Sequence, residues 1–230
     1  MAQEARVAVR IWDLPTRLFH WALVVLVVAS FVTGEFNGFI GADALEWHKR
    51  SGLAILGLLL FRLLWGFVGG THARFASFLR GPGEIGRYAR QLAAGGGAEA
   101  AGHNPLGGWS VVALLVALAV QVGTGLFLVQ EDFAFEAPLA RHVSRAATQR
   151  LNEIHEVNFA VLATLVALHV AAVVFYAVVK RQNLVGAMIS GRKRLEAGRE
   201  SEASRNGGAA AATVVALLAA AAVWALVALA

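Results

Sequence analysis

Four histidines, His20, His48, His155 and His169, stand inside or at the edges of long apolar stretches, where an ionisable side chain is costly and marks a functional site. Imidazole can ligate a metal through either ring nitrogen, or act as acid, base or hydrogen-bond partner. Spacing favours ligation. His155 and His169 are 14 residues apart in one apolar stretch. On a helix that is about 21 Å of rise and a return to the same face within about 40°. One helix then offers two ligands, one near each surface of a bilayer.

The elements that must position them follow from composition. Of the 230 residues, 58% are hydrophobic and only 15% charged, and the mean hydropathy is +0.62, values that place the chain in a membrane. Five apolar segments are each long enough to cross about 30 Å of hydrocarbon: about Leu18 to Gly34, Trp47 to Gly69, Gly108 to Val129, Ile154 to Val179 and Gly208 to Ala230. They lack the two-residue alternation of barrel strands, so helices are expected. The first follows a polar start containing Glu4 and Asp13 and reads as a retained span, not a cleaved signal. With no cysteine, covalently attached haem, thiolate-held iron–sulfur clusters and disulfides are excluded.

Basic residues set the expected topology. The N-terminal segment holds Arg6, Arg10 and Arg17, and the second connection holds Arg74, Arg80, Arg87 and Arg90. Seven more lie between Lys180 and Arg205, whereas the opposite side has Lys49, Arg50, Arg141, Arg145 and Arg150. The bias predicts a cytoplasmic N-terminus and a periplasmic C-terminus. His20 and His169 then fall near the inner surface, and His48 and His155 near the outer. Two haems, each with two axial imidazoles, match that arrangement, and filled axial positions favour electron transfer over oxygen binding. Taken singly, each histidine also reads as a helix–helix hydrogen-bond partner; the pairing by depth carries the haem reading.

Other positions fit the same frame. Gly34 lies 14 residues after His20 and would let the first helix pass close to the outer haem. Arg62 lies 14 after His48, where it would pair with a haem propionate or snorkel to the surface. Arg17, one turn before His20, has the same two readings. Gly107, Gly108, Gly123 and Gly125 would allow close packing of the third helix. Lys49 and Arg50 read as interfacial anchors, and His72, His103 and His142 as solvated loop residues. A short amphipathic stretch at about Glu84–Leu92 is expected on the inner surface, followed by a flexible Gly/Ala-rich piece at Gly95–Gly102.

Several motifs carry a family resemblance: DLPTRLFHW at Asp13–Trp21, WHKRSGLAILGLLLFRLLWGFVG in the second helix, GHNPLGGW at Gly102–Trp109, and the His155–His169 frame. Over about residues 6–190 the chain resembles prokaryotic cytochrome b561 proteins and the b-type cytochrome subunit of nickel–iron hydrogenases. The resemblance implies an all-α membrane protein: a four-helix transmembrane bundle holding two haem b groups, similar to the gamma subunit of formate dehydrogenase. It also implies electron transport in a bacterial cytoplasmic membrane, between a soluble or peripheral redox protein and quinone. The expected domains are 1–190 as this bundle, 191–207 as a polar cytoplasmic linker and 208–230 as an added C-terminal transmembrane helix, a departure from the four-helix pattern.

The leading expectation is therefore a respiratory-chain cytochrome passing electrons between the quinone pool and a periplasmic or peripheral partner, such as cytochrome c or a hydrogenase or dehydrogenase subunit. A quinone site is expected near His169, at Asn104 and Arg17. Membrane lipid is a partner and nucleic acid is not. One alternative is a superoxide:ubiquinone oxidoreductase with a steering funnel of Lys49, Arg50 and Arg141, opposed by Asp43, Glu46, Glu131, Asp132 and Glu136 on the same side. Another is a non-redox membrane protein whose histidines only stabilise packing.

Overall fold

The computed structural model describes residues 6–41, 43–97, 99–130, 135–205 and 207–230. In chain order these form β1 (Arg6–Arg10), α1 (Leu14–Glu35), α2 (Asn37–Ile40), α3 (Ala44–Val68), α4 (Phe75–Phe78), α5 (Pro82–Ala93) and α6 (Pro105–Gly125). There follow β2 (Val129–Gln130), β3 (Phe135–Glu136), α7 (Arg145–Val178), α8 (Leu184–Ser190), β4 (Arg192–Glu196) and α9 (Ala209–Ala228). α1, α3, α6, α7 and α9 are each long and apolar enough to cross a membrane, in the five places anticipated. α7 begins nine residues before the expected Ile154. Its 34 residues span about 51 Å, so its polar start, with Arg145, Arg150, Asn152 and Glu153, extends beyond the hydrocarbon layer.

The chain divides into two compact units, and every spanning helix contributes to both. One consists of Met1–Leu18, Leu63–Ala113 and Val166–Thr213. In it Asp13, 3% exposed, starts α1 by accepting the Thr16 N–H at 2.9 Å. Its second oxygen accepts the Gly70 N–H at 3.0 Å and Trp65 Nε1–H at 3.3 Å, which fastens the end of α3 to the start of α1. Removing a side-chain cap of this kind costs about 1 kcal/mol. Asn104 caps α6, its Oδ1 accepting the Gly107 N–H at 2.7 Å.

The 191–207 segment, read from sequence as a linker, contains a strand. β4 pairs antiparallel with β1, with Val7 opposite Leu195 and Val9 opposite Lys193. Val9, Ile11, Trp12, Ala101, Ala187 and Leu195 form the buried cluster beneath it. Gly191 closes α8 in the left-handed region, φ 77°, and its carbonyl accepts the N–H groups of Ile11 and Trp12 at 2.8 and 3.1 Å. A Cβ there would lie 2.6 Å from Arg17 Nη1, so only glycine suits this turn. Beyond β4 the chain is pinned by Ser204 N–H to the Arg10 carbonyl at 2.7 Å and Thr71 N–H to the Arg205 carbonyl at 3.1 Å.

The other unit consists of Phe19–Arg62, Leu114–Leu165 and Val214–Ala230. β2 pairs with β3 within the connection from α6 to α7, and Phe31 stacks on Phe159 with ring centres 5.9 Å apart. Val223 of α9 would stand 3.7 Å from a Cβ at Gly57 of α3, ordinary packing distance.

Candidate functional site

The second unit brings His48 of α3 and His155 of α7 together. Their ring centres are 6.3 Å apart, with the planes at 74°. His48 Nδ1 lies 2.8 Å from the Ser30 carbonyl. A carbonyl only accepts, so Nδ1 carries the proton and Nε2 the lone pair. Ser51 Oγ donates to Ser30 Oγ at 3.0 Å and lies 2.9 Å from the His48 carbonyl, which steadies this corner. His155 Nδ1 lies 3.0 Å from Thr124 Oγ1. The Thr124 proton is directed to the Val120 carbonyl at 2.8 Å, so its oxygen accepts from His155 Nδ1–H and again leaves the lone pair on Nε2.

Close approach of helices makes room for these rings. A Cβ on Gly34 of α1 would sit 2.8 Å from both Cε1 and Nδ1 of His48, and one on Gly125 would sit 3.2 Å from His155 Cε1. Gly108 lies against the Phe78 carbonyl and Gly107 against the Asn104 amide, while no described atom comes within 4 Å of a Cβ at Gly123.

Two imidazoles bound to opposite sides of one metal, at bonds of about 2.0–2.1 Å plus about 1.1 Å from nitrogen to ring centre, have centres about 6.2–6.4 Å apart. The observed separation meets that requirement. Among the described residues no group of three or more His, Cys, Asp or Glu side chains could hold a bare metal ion. Two imidazoles suffice where the metal brings its own equatorial ligands, as haem does. The residues present therefore fit a haem: His48 and His155 would hold it, each oriented by a partner on its other nitrogen.

His20 of α1 and His169 of α7 are both half-buried, and His20 meets the Trp21 ring edge-on at 5.1 Å. Arg62 of α3 is 3% exposed. Arg17 donates from Nη1 to the Ser190 carbonyl at 3.1 Å, while its Nε is buried without a hydrogen bond among the described residues.

Asn104, besides capping α6, donates from Nδ2 to Tyr176 Oη at 2.8 Å, and keeps one N–H and one lone pair for a further partner. Tyr176 lies seven residues after His169 on α7, about two turns along the same face. Its hydroxyl also meets that of Tyr88 on α5 at 2.8 Å. The supports Ser30, Thr124, Tyr88 and Tyr176 were not singled out from the sequence; hydroxyls within or beside apolar runs are the signal that could have found them.

The loop histidines divide. His142 is exposed. His72 donates from Nε2 to the Glu202 carbonyl at 2.8 Å, and the His103 ring sits 4.8 Å from Trp12 and 4.7 Å from Phe78, so these two are packed rather than merely solvated. Lys49 and Arg50 both pair with Glu46, at 2.6 and 2.9 Å, which weakens an anion funnel built on them. Glu131 and Asp132 lie outside the described residues.

Residues 11–191 match the model of a family described as prokaryotic cytochrome b561. A probable Ni/Fe-hydrogenase B-type cytochrome subunit of Rhizobium leguminosarum bv. viciae is 25% identical, covering 82% of this chain and 90% of its own. Another, of Azotobacter vinelandii, is 26% identical over 80% and 88%. No solved structure matches the chain. A family match over four of the five spanning helices and all four membrane histidines shows that the chain belongs to the prokaryotic cytochrome b561 family.

Proposed function

We propose that the chain is a two-haem membrane cytochrome that carries electrons across the bilayer between a peripheral redox protein and the quinone pool. His48 and His155 hold the haem near the outer surface, and His20 and His169 hold the second near the inner surface. Each haem supplies a one-electron iron couple. Ser30 and Thr124 orient the outer ligands by fixing their tautomers, and the stacked Phe31 and Phe159 add apolar, water-excluding surface to the same unit. Arg17, with its buried Nε, and Arg62 would neutralise the haem propionates. Asn104 offers its remaining N–H to a quinone carbonyl. The names of the relatives support a nickel–iron hydrogenase as the partner, and the basic residues of the N-terminal segment, the second connection and 180–205 support a cytoplasmic N-terminus and a periplasmic C-terminus.

The observation that carries this reading is the 6.3 Å separation of the His48 and His155 rings, with both Nδ1 atoms engaged. Its test is the haem-to-protein ratio of the detergent-purified chain by pyridine haemochrome. A ratio near two is expected, falling towards one in His48→Ala or His155→Ala. A colourless protein sinks the proposal, and a ratio of one in the unaltered chain removes the His20–His169 site.

A further inference from the structure

The exposed face of the β1–β4 sheet carries an excess of positive charge that is only partly answered among the described residues. Residues alternate on both strands: Arg6, Ala8 and Arg10 of β1 are exposed, as are Arg192, Arg194 and Glu196 of β4. Register sets Arg6 opposite Glu196, Ala8 opposite Arg194 and Arg10 opposite Arg192. Directly opposed side chains have Cβ atoms about 4.5–5.5 Å apart, where like charges repel. Arg6 is satisfied by Glu99 at 2.6 Å. Arg10, Arg192 and Arg194 form no ion pair among the described residues, so three guanidinium groups share one small face.

Depth identifies what meets them. Leu14, the first residue of α1, lies four positions after Arg10, a span of at most about 14 Å. Leu14 and Leu18 are 55% and 62% exposed, apolar side chains at the start of a spanning helix whose open surface is suited to lipid. The polar layer between hydrocarbon and water is about 5–8 Å thick on each side. The sheet is therefore held at or just beyond the lipid headgroups. A guanidinium fork matches a phosphate oxygen pair in plane and charge.

We infer that Arg10, Arg192 and Arg194 form a seat for the phosphate of an anionic phospholipid, whose acyl chains lie along the exposed leucines of α1. The bound anion screens the opposed Arg10–Arg192 pair and fastens the β1–β4 sheet to the leaflet from which α1 enters.

The test uses the full-length chain in detergent, titrated with phosphatidylglycerol or phosphatidylcholine of identical acyl chains, with bound lipid counted by native mass spectrometry. The unaltered protein is expected to prefer phosphatidylglycerol. Arg10→Gln/Arg192→Gln/Arg194→Gln should lose that preference by about fivefold per charge removed. Arg87→Gln/Arg90→Gln, which removes two exposed arginines of α5, should retain it. Should the triple variant fail to give monodisperse protein, Arg192→Gln alone, which abolishes the opposed pair, must show the same sign at smaller size. Equal binding of the two lipids by the unaltered chain overturns the inference, as does an equal loss in the α5 variant. Displacement of the lipid by an equal concentration of inorganic phosphate would make this a free-oxyanion site, and binding of polyglutamate in place of either lipid would make it a protein-docking face.

Discussion

At the scale of single residues, the histidine corner depends on what is missing as much as on what is present. Gly34 leaves the space that His48 fills: a methyl there would stand 2.8 Å from two ring atoms, and overpacking of this kind costs about 1–3 kcal/mol. Gly34→Ala is expected to displace the imidazole and lower bound haem from two per chain towards one, with helix content by circular dichroism unchanged. Gly123→Ala is the matched control, because a Cβ there meets no described atom within 4 Å. If Gly34→Ala binds haem as well as the control does, the close approach has no part in ligation. The four histidines proposed as ligands were legible as candidates, since histidine in an apolar run is rare and the 14-residue spacing coincides with a helix face. Their supports were not. Ser30 and Thr124 lie on α1 and α6, and the Ser30 carbonyl and Thr124 hydroxyl take on meaning only when those helices are packed against α3 and α7.

At the scale of elements, polar contacts outside the spans fasten the surface pieces. Glu99 accepts Arg6 at 2.6 Å and stands 3.6 Å from Lys193, whose Nζ also donates to the Ala100 carbonyl at 2.7 Å. Burial lowers the Lys193 pKa, an effect opposed by Glu99. Glu99→Gln leaves a buried ammonium without its counter-ion, whereas Lys193→Met removes the charge and keeps the stem. The first is expected to cost about 2 kcal/mol and the second under about 1 kcal/mol, read as the order of their thermal midpoints in detergent; the reverse order would show that the ion pair contributes nothing.

α5 is held by Tyr88, whose phenol burial and the Tyr176 hydroxyl push above its usual range. The folded value exceeds the unfolded one of about 10. The stabilisation is thus complete below pH 10 and lost as pH rises beyond it. The chain has two tyrosines, so tyrosinate absorbance can follow the titration. A late-titrating step is expected that Tyr88→Phe abolishes; full ionisation in the ordinary range in the unaltered chain would contradict it. The β1–β4 sheet was hidden for a different reason. RVAVR and RKRLE each alternate as strands do, but they are separated by the four spans between them, and five-residue strands carry too little pattern to announce a partner at that distance.

At the scale of the whole molecule, the spanning helices were the most legible feature, because hydropathy over about 20 residues is a strong signal. What α9 does was not legible, for it carries no histidine and only Val215 and Ala219 are buried along it. Within a bilayer, separating such a helix from its neighbours exchanges protein contact for lipid contact, with little hydrophobic penalty. The segment before it is independently fixed, by His72 to the Glu202 carbonyl at 2.8 Å and the Arg205 N–H to Thr71 Oγ1 at 3.0 Å. Deleting 208–230 is therefore expected to leave two haems per chain and only slightly lower thermal stability. The same truncation tests orientation. An alkaline phosphatase domain, active only after export, should be active when fused after Ala230 and inactive when fused after Gly207, because α9 is the last crossing and seven of the basic residues lie just before it. Activity at both positions would mean that α9 does not cross. Activity after Gly207 alone would invert the topology and exchange the surfaces assigned to the two histidine pairs, leaving the pairing itself intact.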